Sequence, residues 1–66
     1  MVKYHLEDFQ GHFRGVYKTL EDAISSAEMT IDSGGEIMIS YLEGSAVVRN
    51  VDTMLFMMIK RIEEDD

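Results

Sequence analysis

The residues best suited to bind a metal or transfer protons are the two histidines, His5 and His12. If they lie on the two strands of a hairpin that turns at Gln10-Gly11, they share a face but stand roughly 13 Å apart, at ~3.3 Å of rise per residue. One metal ion does not bridge that distance. The chain has no cysteine either, which excludes thiolate ligands. We therefore expect two solvated histidines and no metal site.

Serines and carboxylates could also do chemistry, but their surroundings argue against an active site. A serine nucleophile needs a neighbouring base, and no histidine is expected near Ser25 and Ser26. Paired catalytic carboxylates need a concave pocket, which a chain of 66 residues has little material to build. Gly34 and Gly35 follow a helix and do not precede one, so they do not form a phosphate-binding loop. We expect neither catalysis nor a cofactor.

The clearest element is a helix within residues 19–35. Thr19 is a good N-cap, Asp22 places negative charge where the helix dipole favours it, and Gly34-Gly35 supplies the left-handed conformation that ends many helices. Apolar residues recur at helical spacing and predict one buried face; they are Leu20, Ala23, Ile24, Ala27 and Ile31.

Residues 2–18 are typical of a β-hairpin with a two-residue turn at Gln10-Gly11. The pairing that follows is Phe9–His12, Glu7–Arg14, Leu6–Gly15 and Tyr4–Tyr17. It gives one buried and one wet face, and the buried face comprises Val2, Tyr4, Leu6, Phe13 and Tyr17. Gly15 indicates a bulge or a close approach of the helix.

After the helix, residues 36–42 and 46–51 predict a second hairpin. Residues 53–62 fit either a strand or a helix capped by Asp52. The strand is favoured, because residues 50–53 resemble a turn and the acidic residues 63–66 oppose the dipole at a helix C-terminus. We expect residues 63–66 to be a frayed acidic tail. The predicted fold is a single α+β domain over residues 1–66, with an antiparallel four- or five-stranded sheet, one helix packed on one face and the order ββαββ(β).

The chain carries 13 acidic and 6 basic residues, a formal net charge of −7. Because Lys and Arg supply most of the affinity for phosphates, this balance disfavours nucleic-acid binding and anionic membranes alike. No window approaches the ~18 apolar residues of a membrane span, and the N-terminal sequence lacks the apolar run of a signal peptide. We expect a cytoplasmic protein with no membrane partner.

One stripe of the helix is acidic and has no neighbouring cation. Residues 19–48 contain no Lys or Arg, although interspersed lysines usually relieve repulsion on helix surfaces. Met29 falls opposite the buried face, in the middle of the polar side. The stripe is either a solvated face or a surface for the basic groove of a partner protein. The candidate partner-binding residues are Glu21, Glu28, Met29 and Asp32.

The last apolar segment predicts self-association. A domain of this size buries only roughly 60% of its unfolded surface, and without disulfides or metals oligomerisation is the remaining source of stability. Six methionines add pliable apolar surface, and one helix covers only one sheet face. The candidate self-association residues are Met54, Phe56, Met57 and Met58.

These features favour a small acidic interaction module that binds another protein and is not an enzyme. Small acidic proteins of this kind are common among phage-encoded inhibitors, some of which imitate the charge of nucleic acid, so a viral protein that binds a host protein is our first expectation. The alternative is a homo-oligomeric structural or regulatory protein. A weaker alternative is a nucleic-acid-binding module that uses the basic hairpin face of Lys3, His5, His12, Arg14 and Lys18.

We predict that Ile24→Asp or Ala27→Asp unfolds the domain, whereas Ser25→Ala has little effect. An unpaired charge on the buried face costs several kcal/mol, a large share of a small domain's stability. Thermal unfolding of the three variants measures the difference. Equal stability of Ile24→Asp and Ser25→Ala would contradict the helix assignment.

Overall fold

The structure is a computed structural model that describes residues 1–32 and 34–64. Its elements are β1 (Val2–Asp8), β2 (Phe13–Tyr17), α1 (Leu20–Ile31), β3 (Ile37–Leu42), β4 (Ser45–Asn50) and β5 (Phe56–Glu63). The predicted α+β fold and the order ββαββ(β) are confirmed, with the last segment as a fifth strand. The helix considered for residues 53–62 is wrong.

The five strands form one antiparallel sheet in the order β2-β1-β5-β4-β3. The last strand in sequence is thus the central strand in space, paired with β1 on one side and β4 on the other. This position explains its apolar character on both faces, and pairing on both edges overrides the helix propensity of its Met residues. β2 and β3 are the two edge strands.

α1 begins at its predicted N-cap and packs on one face of the sheet, but it ends at Ile31, before the predicted Gly34-Gly35 stop. The Thr19 hydroxyl accepts a hydrogen bond from the backbone N–H of Asp22 at 3.1 Å, which caps the first turn. Beyond Ile31, Asp32 leaves the helical conformation and Gly34 adopts a φ of 87°, which glycine tolerates at low cost. The core under the helix comprises Leu6, Ala23, Ile24, Ala27, Ile31, Ala46, Val48, Met57 and Ile59.

The turn of the first hairpin differs from the prediction. The backbone N–H of Asp8 donates to the carbonyl of His12 at 3.0 Å, and that of Gly11 donates to the carbonyl of Asp8 at 2.9 Å. With Gly11 at a φ of 83°, the loop therefore has three residues and not two. Asp8, not Phe9, lies opposite His12.

A bulge then restores the expected register further along the hairpin. Glu7 pairs with Phe13 and not with Arg14, whereas Leu6 pairs with Gly15 and Tyr4 with Tyr17, as predicted. The extra residue is Arg14, next to the glycine that the sequence indicated as a bulge site. Because directly opposite residues share a face, Phe13 lies on the side away from the helix and is 61% exposed. Its predicted place on the buried face is wrong.

The acidic C-terminal residues are partly ordered. Glu63 is the last residue of β5. Glu64 donates its backbone N–H to the carbonyl of Met1 at 2.8 Å and accepts from the Met1 amino group at 2.7 Å. A frayed tail from residue 63 is therefore wrong for these two positions, because β1 holds them. Asp65 and Asp66 lie outside the described residues.

Asn50, at the end of β4, is a polar side chain with no exposed surface. Its Nδ2 donates to the carbonyl of Ile31 at 2.9 Å, and its Oδ1 accepts from the backbone N–H groups of Asp52 and Thr53 at 2.9 and 3.0 Å. Gly35 packs so closely that an added Cβ would lie 2.7 Å from Asn50 Oδ1. One buried amide thus joins the end of α1, the segment before β3 and the loop into β5.

We predict that Asn50→Ala lowers the free energy of unfolding by about 3 kcal/mol, because it leaves buried backbone groups unpaired at ~1–3 kcal/mol each. Asn50→Asp should also destabilise, since it loses the donor and places a carboxylate against the Ile31 carbonyl. Thr53→Ala is the control, because its hydroxyl makes one exposed bond of 3.3 Å to Leu55 and its loss should cost within about 0.5 kcal/mol. Chemical denaturation compares the three. If Asn50→Ala is as stable as Thr53→Ala, the Asn50 side chain does not stabilise the junction of these three segments.

Candidate functional site

The acidic helix surface, formed by Glu21, Glu28, Met29 and Asp32, lies on the side of α1 that points away from the sheet. Glu21 and Asp32 are exposed, and Glu28 is half-buried along the flank of the helix. Met29 is 81% exposed in the middle of the surface. Glu21, Glu28 and Met29 stand on α1 and Asp32 is its C-cap residue, so all four predicted partner-binding residues lie on one helix or directly after it.

The carboxylates of this surface have no ion-pair partner among residues 1–32 and 34–64. Four of the six Lys and Arg residues pair elsewhere in that part of the chain. The pairs are Lys3–Glu64 at 3.0 Å, Lys60–Glu7 at 3.3 Å, Arg61–Glu63 at 3.7 Å and Arg14–Asp8 at 3.9 Å. The acidic helix surface therefore presents negative charge that the described residues do not neutralise by ion pairing.

The opposite side of the sheet, which we call the open face, has no helix over it. Row by row across the strands, Phe13 pairs with Glu7, Glu7 with Met58, and Met58 with Val47, which places these side chains on one face. The exposed large apolar residues of the open face are Phe13, Val16, Met38, Leu42 and Met58.

The structure separates the four residues predicted for self-association. Met54 lies in the loop before β5 with an exposed side chain and a φ of 67°. Phe56 is half-buried and Met58 exposed, both on the open face. Met57 is 1% exposed and belongs to the core under α1. Its predicted place on a surface is wrong, because alternate residues of a strand point to opposite faces.

Val16, Met38 and Leu42 were not among the residues predicted for partner binding or self-association. They are apolar side chains that the strand alternation places opposite the helix. The available signal was the apolar character of both faces of residues 37–42. It could not be used, because the sequence alone does not show which face the helix covers.

The two histidines lie in different surroundings. The ring of His5 meets that of Phe13 edge-on, with ring centroids 5.5 Å apart. His12 Nδ1 lies 3.8 Å from the carboxylate of Asp8. Within the part of the chain that the structure describes, no group of three or more His, Cys, Asp or Glu residues is placed to hold a metal ion.

Asp8 organises the loop of the first hairpin. Its Oδ1 accepts from the backbone N–H groups of Gln10 and His12 at 3.0 and 2.9 Å. The hydrogen bond from His12 lowers the pKa of Asp8 below its ordinary 3.8; partial desolvation opposes the shift, while the Gln10 N–H and the charges of His12 and Arg14 add to it. The loop bonds are sufficient to account for this shift, which therefore does not indicate a catalytic acid.

A surface cavity of about 540 Å³ lies at the open end of the first hairpin. It is lined by Met1, Val2, Lys3, Val16, Tyr17 and Lys18. These side chains include no carboxylate and no imidazole. A smaller cavity of about 200 Å³ lies between the hairpin loop, the end of α1 and the start of β5, and it contains the structural carboxylate of Asp8.

No protein-family model, curated protein or solved structure matches this chain. None of the helices in residues 1–32 and 34–64 has the length and apolar character needed to cross a membrane. The geometry of the acidic helix surface and the open face is thus the basis for a functional proposal.

We predict that Asp8→Ala destabilises the fold at neutral pH, because two backbone N–H groups lose their acceptor. A folded-state pKa below the unfolded value means that the carboxylate contributes its full stability above pH 3.8 and loses it as the pH falls through the lower folded value. The stability gap between the wild type and Asp8→Ala should therefore narrow below about pH 4.

Asp8→Asn is the control, because the amide oxygen can still accept but does not titrate in this range. The gap between Asp8→Asn and Asp8→Ala should be the same at every pH. Urea denaturation at stepped pH measures both gaps. If the difference in free energy of unfolding between the wild type and Asp8→Ala is unchanged from pH 6 to pH 3, the titration of Asp8 is not linked to stability.

Proposed function

We propose that this chain is a small acidic macromolecular-interaction module that binds a protein with a basic groove through the acidic helix surface. The observation that carries the proposal is the unpaired negative charge of that surface. Glu21 and Glu28 stand on α1, and Asp32 directly follows its last residue, so the order of the three carboxylates is fixed before any encounter. Such a pattern steers association with an oppositely charged partner and gives it specificity.

The spacing of the carboxylates suits a groove that holds nucleic acid. At ~1.5 Å of rise per residue, Glu21 and Glu28 are roughly 10 Å apart along the helix axis. This distance is about three times the ~3.4 Å axial spacing of phosphates along one DNA strand. The acidic helix surface can therefore place negative charge close to the positions that phosphates occupy in such a groove.

Met29 supplies the apolar part of the proposed contact. Its exposed, flexible side chain lies between the carboxylates and can adapt to an irregular surface. A central apolar residue surrounded by charge is a common arrangement at protein interfaces. The small size and acidity of the chain favour a cytoplasmic inhibitor of the phage-encoded type, whose host target normally handles nucleic acid.

A second candidate is a homo-oligomeric structural or regulatory protein, and the exposed apolar residues of the open face favour it. Direct nucleic-acid binding by the hairpin has less support. Lys3 lies 3.0 Å from Glu64, and Arg14 lies 3.9 Å from Asp8, so neighbouring carboxylates offset the hairpin's positive charge.

The test replaces Glu21 and Glu28 with Gln and Asp32 with Asn. Asn at position 32 can still accept the hydrogen bond that Asp32 receives from the Gly34 N–H at 3.1 Å, so we expect the fold to be retained. Immobilised wild-type protein should capture a nucleic-acid-handling protein from cell lysate, and excess duplex DNA should displace it. The triple variant should associate with the captured protein about tenfold more slowly at low salt, with a weaker salt dependence.

The matched control replaces Glu36, Glu43 and Glu63 with Gln. It removes the same amount of charge from exposed positions outside α1, so it separates the pattern on the helix from the net charge. The control should bind nearly as the wild type does. If the triple variant and the control bind equally well, or DNA fails to compete, the acidic helix surface is only a solvated face.

A further inference from the structure

The two edges of the sheet are built differently. β2 has five residues, is interrupted by the bulge at Arg14 and is followed directly by Lys18. β3 has six residues with the sequence IMISYL and pairs with β4 without a bulge. It contains no charge, proline or glycine, the usual features that prevent an edge strand from pairing with another chain. β3 is therefore the unprotected edge.

Alternate residues of β3 direct their backbone groups away from the sheet. The carbonyl of Glu36 accepts from Val51 N–H at 2.9 Å, which marks position 36 as bonded toward β4. Hydrogen-bonded positions recur every second residue in an antiparallel pair. The outward N–H and C=O groups thus belong to Ile37, Ile39 and Tyr41.

We propose that β3 pairs with β3 of a second copy of this chain, antiparallel and around a two-fold axis perpendicular to the sheet at Ile39. Ile39 then lies opposite its own counterpart, and Ile37 of each copy lies opposite Tyr41 of the other. Every outward N–H and C=O group of these positions finds a partner. A shift by two residues in either direction leaves some of them unpaired.

Side chains fit the same register. On the helix side, Tyr41, which is 65% exposed, lies against Ile37 of the other copy, a favourable aromatic and β-branched pair. On the open face, Met38 lies opposite Ser40. α1 packs on β1, β2, β4 and β5, so it does not obstruct this edge.

Charge identifies the occupant as a second copy despite the net charge of −7. The nearest carboxylates, Glu36 and Glu43, lie just beyond the two ends of β3. In the Ile39-centred register they face Leu42 and Gly35 of the other copy, not each other. Two copies therefore meet along an uncharged strand, and no carboxylate lies opposite another across it.

The test is sedimentation over a range of protein concentrations, because an interface below ~1,200 Å² is typical of weak association. Wild type should shift from monomer to dimer as concentration rises. Tyr41→Pro removes an outward N–H without breaking the bonds to β4, a placement that edge strands tolerate, and should stay monomeric with an unchanged far-ultraviolet spectrum. Met58→Lys, which alters the open face only, should dimerise as the wild type does.

Amide hydrogen exchange gives a second measurement that needs no variant. The N–H groups of Ile37, Ile39 and Tyr41 should exchange more slowly as the dimer fraction rises, whereas that of Met38 should not change. Dimer loss in Met58→Lys but not in Tyr41→Pro would assign self-association to the open face. The proposal would be overturned if the wild type is monomeric at millimolar concentration, or if the exchange rates of these amides do not depend on protein concentration. Neither result depends on the carboxylates of α1.

Discussion

The buried amide of Asn50 is the interaction on which the arrangement of the other elements depends. It binds the last carbonyl of α1, turns the backbone at Asp52 and Thr53 and lies against Gly35. The loop that it holds directs the chain into β5, which must enter between β1 and β4. Without a partner for each polar atom, an amide in this position would cost free energy. Because the Asn50 amide has hydrogen-bond partners, it favours one connection between helix and sheet over the alternatives.

The central position of β5 divides the molecule into two sides of different chemistry. One face of the sheet is covered by a helix whose outer surface is acidic. The open face carries exposed apolar side chains and cations that pair with carboxylates. A domain this small cannot cover both faces of its sheet with one helix. The open face is therefore a consequence of this packing limit.

The sequence predicts this fold where local chemistry decides the structure and fails where it does not. Thr19 caps α1 as expected, because an N-cap depends only on residues within one turn. Phe13 and Met57 were misplaced, since the side on which a strand residue lies depends on a one-residue bulge and on which face the helix covers. The sequence around Asn50 indicated only a turn, because the hydrogen-bond partners of its side chain lie in segments that meet only in the folded chain. The acidic helix surface could be predicted from the sequence because helical periodicity is a local property.

The absence of lysine and arginine between Lys18 and Arg49 also determines how the protein can be handled chemically. Trypsin cuts after these residues, so α1, β3 and all of β4 except Asn50 are released together as one uninterrupted peptide, residues 19–49. The lysine side chains, Lys3, Lys18 and Lys60, all lie outside α1 and β3. Amine-directed dyes, cross-linkers and coupling resins therefore leave the side chains of α1 and β3 unlabelled.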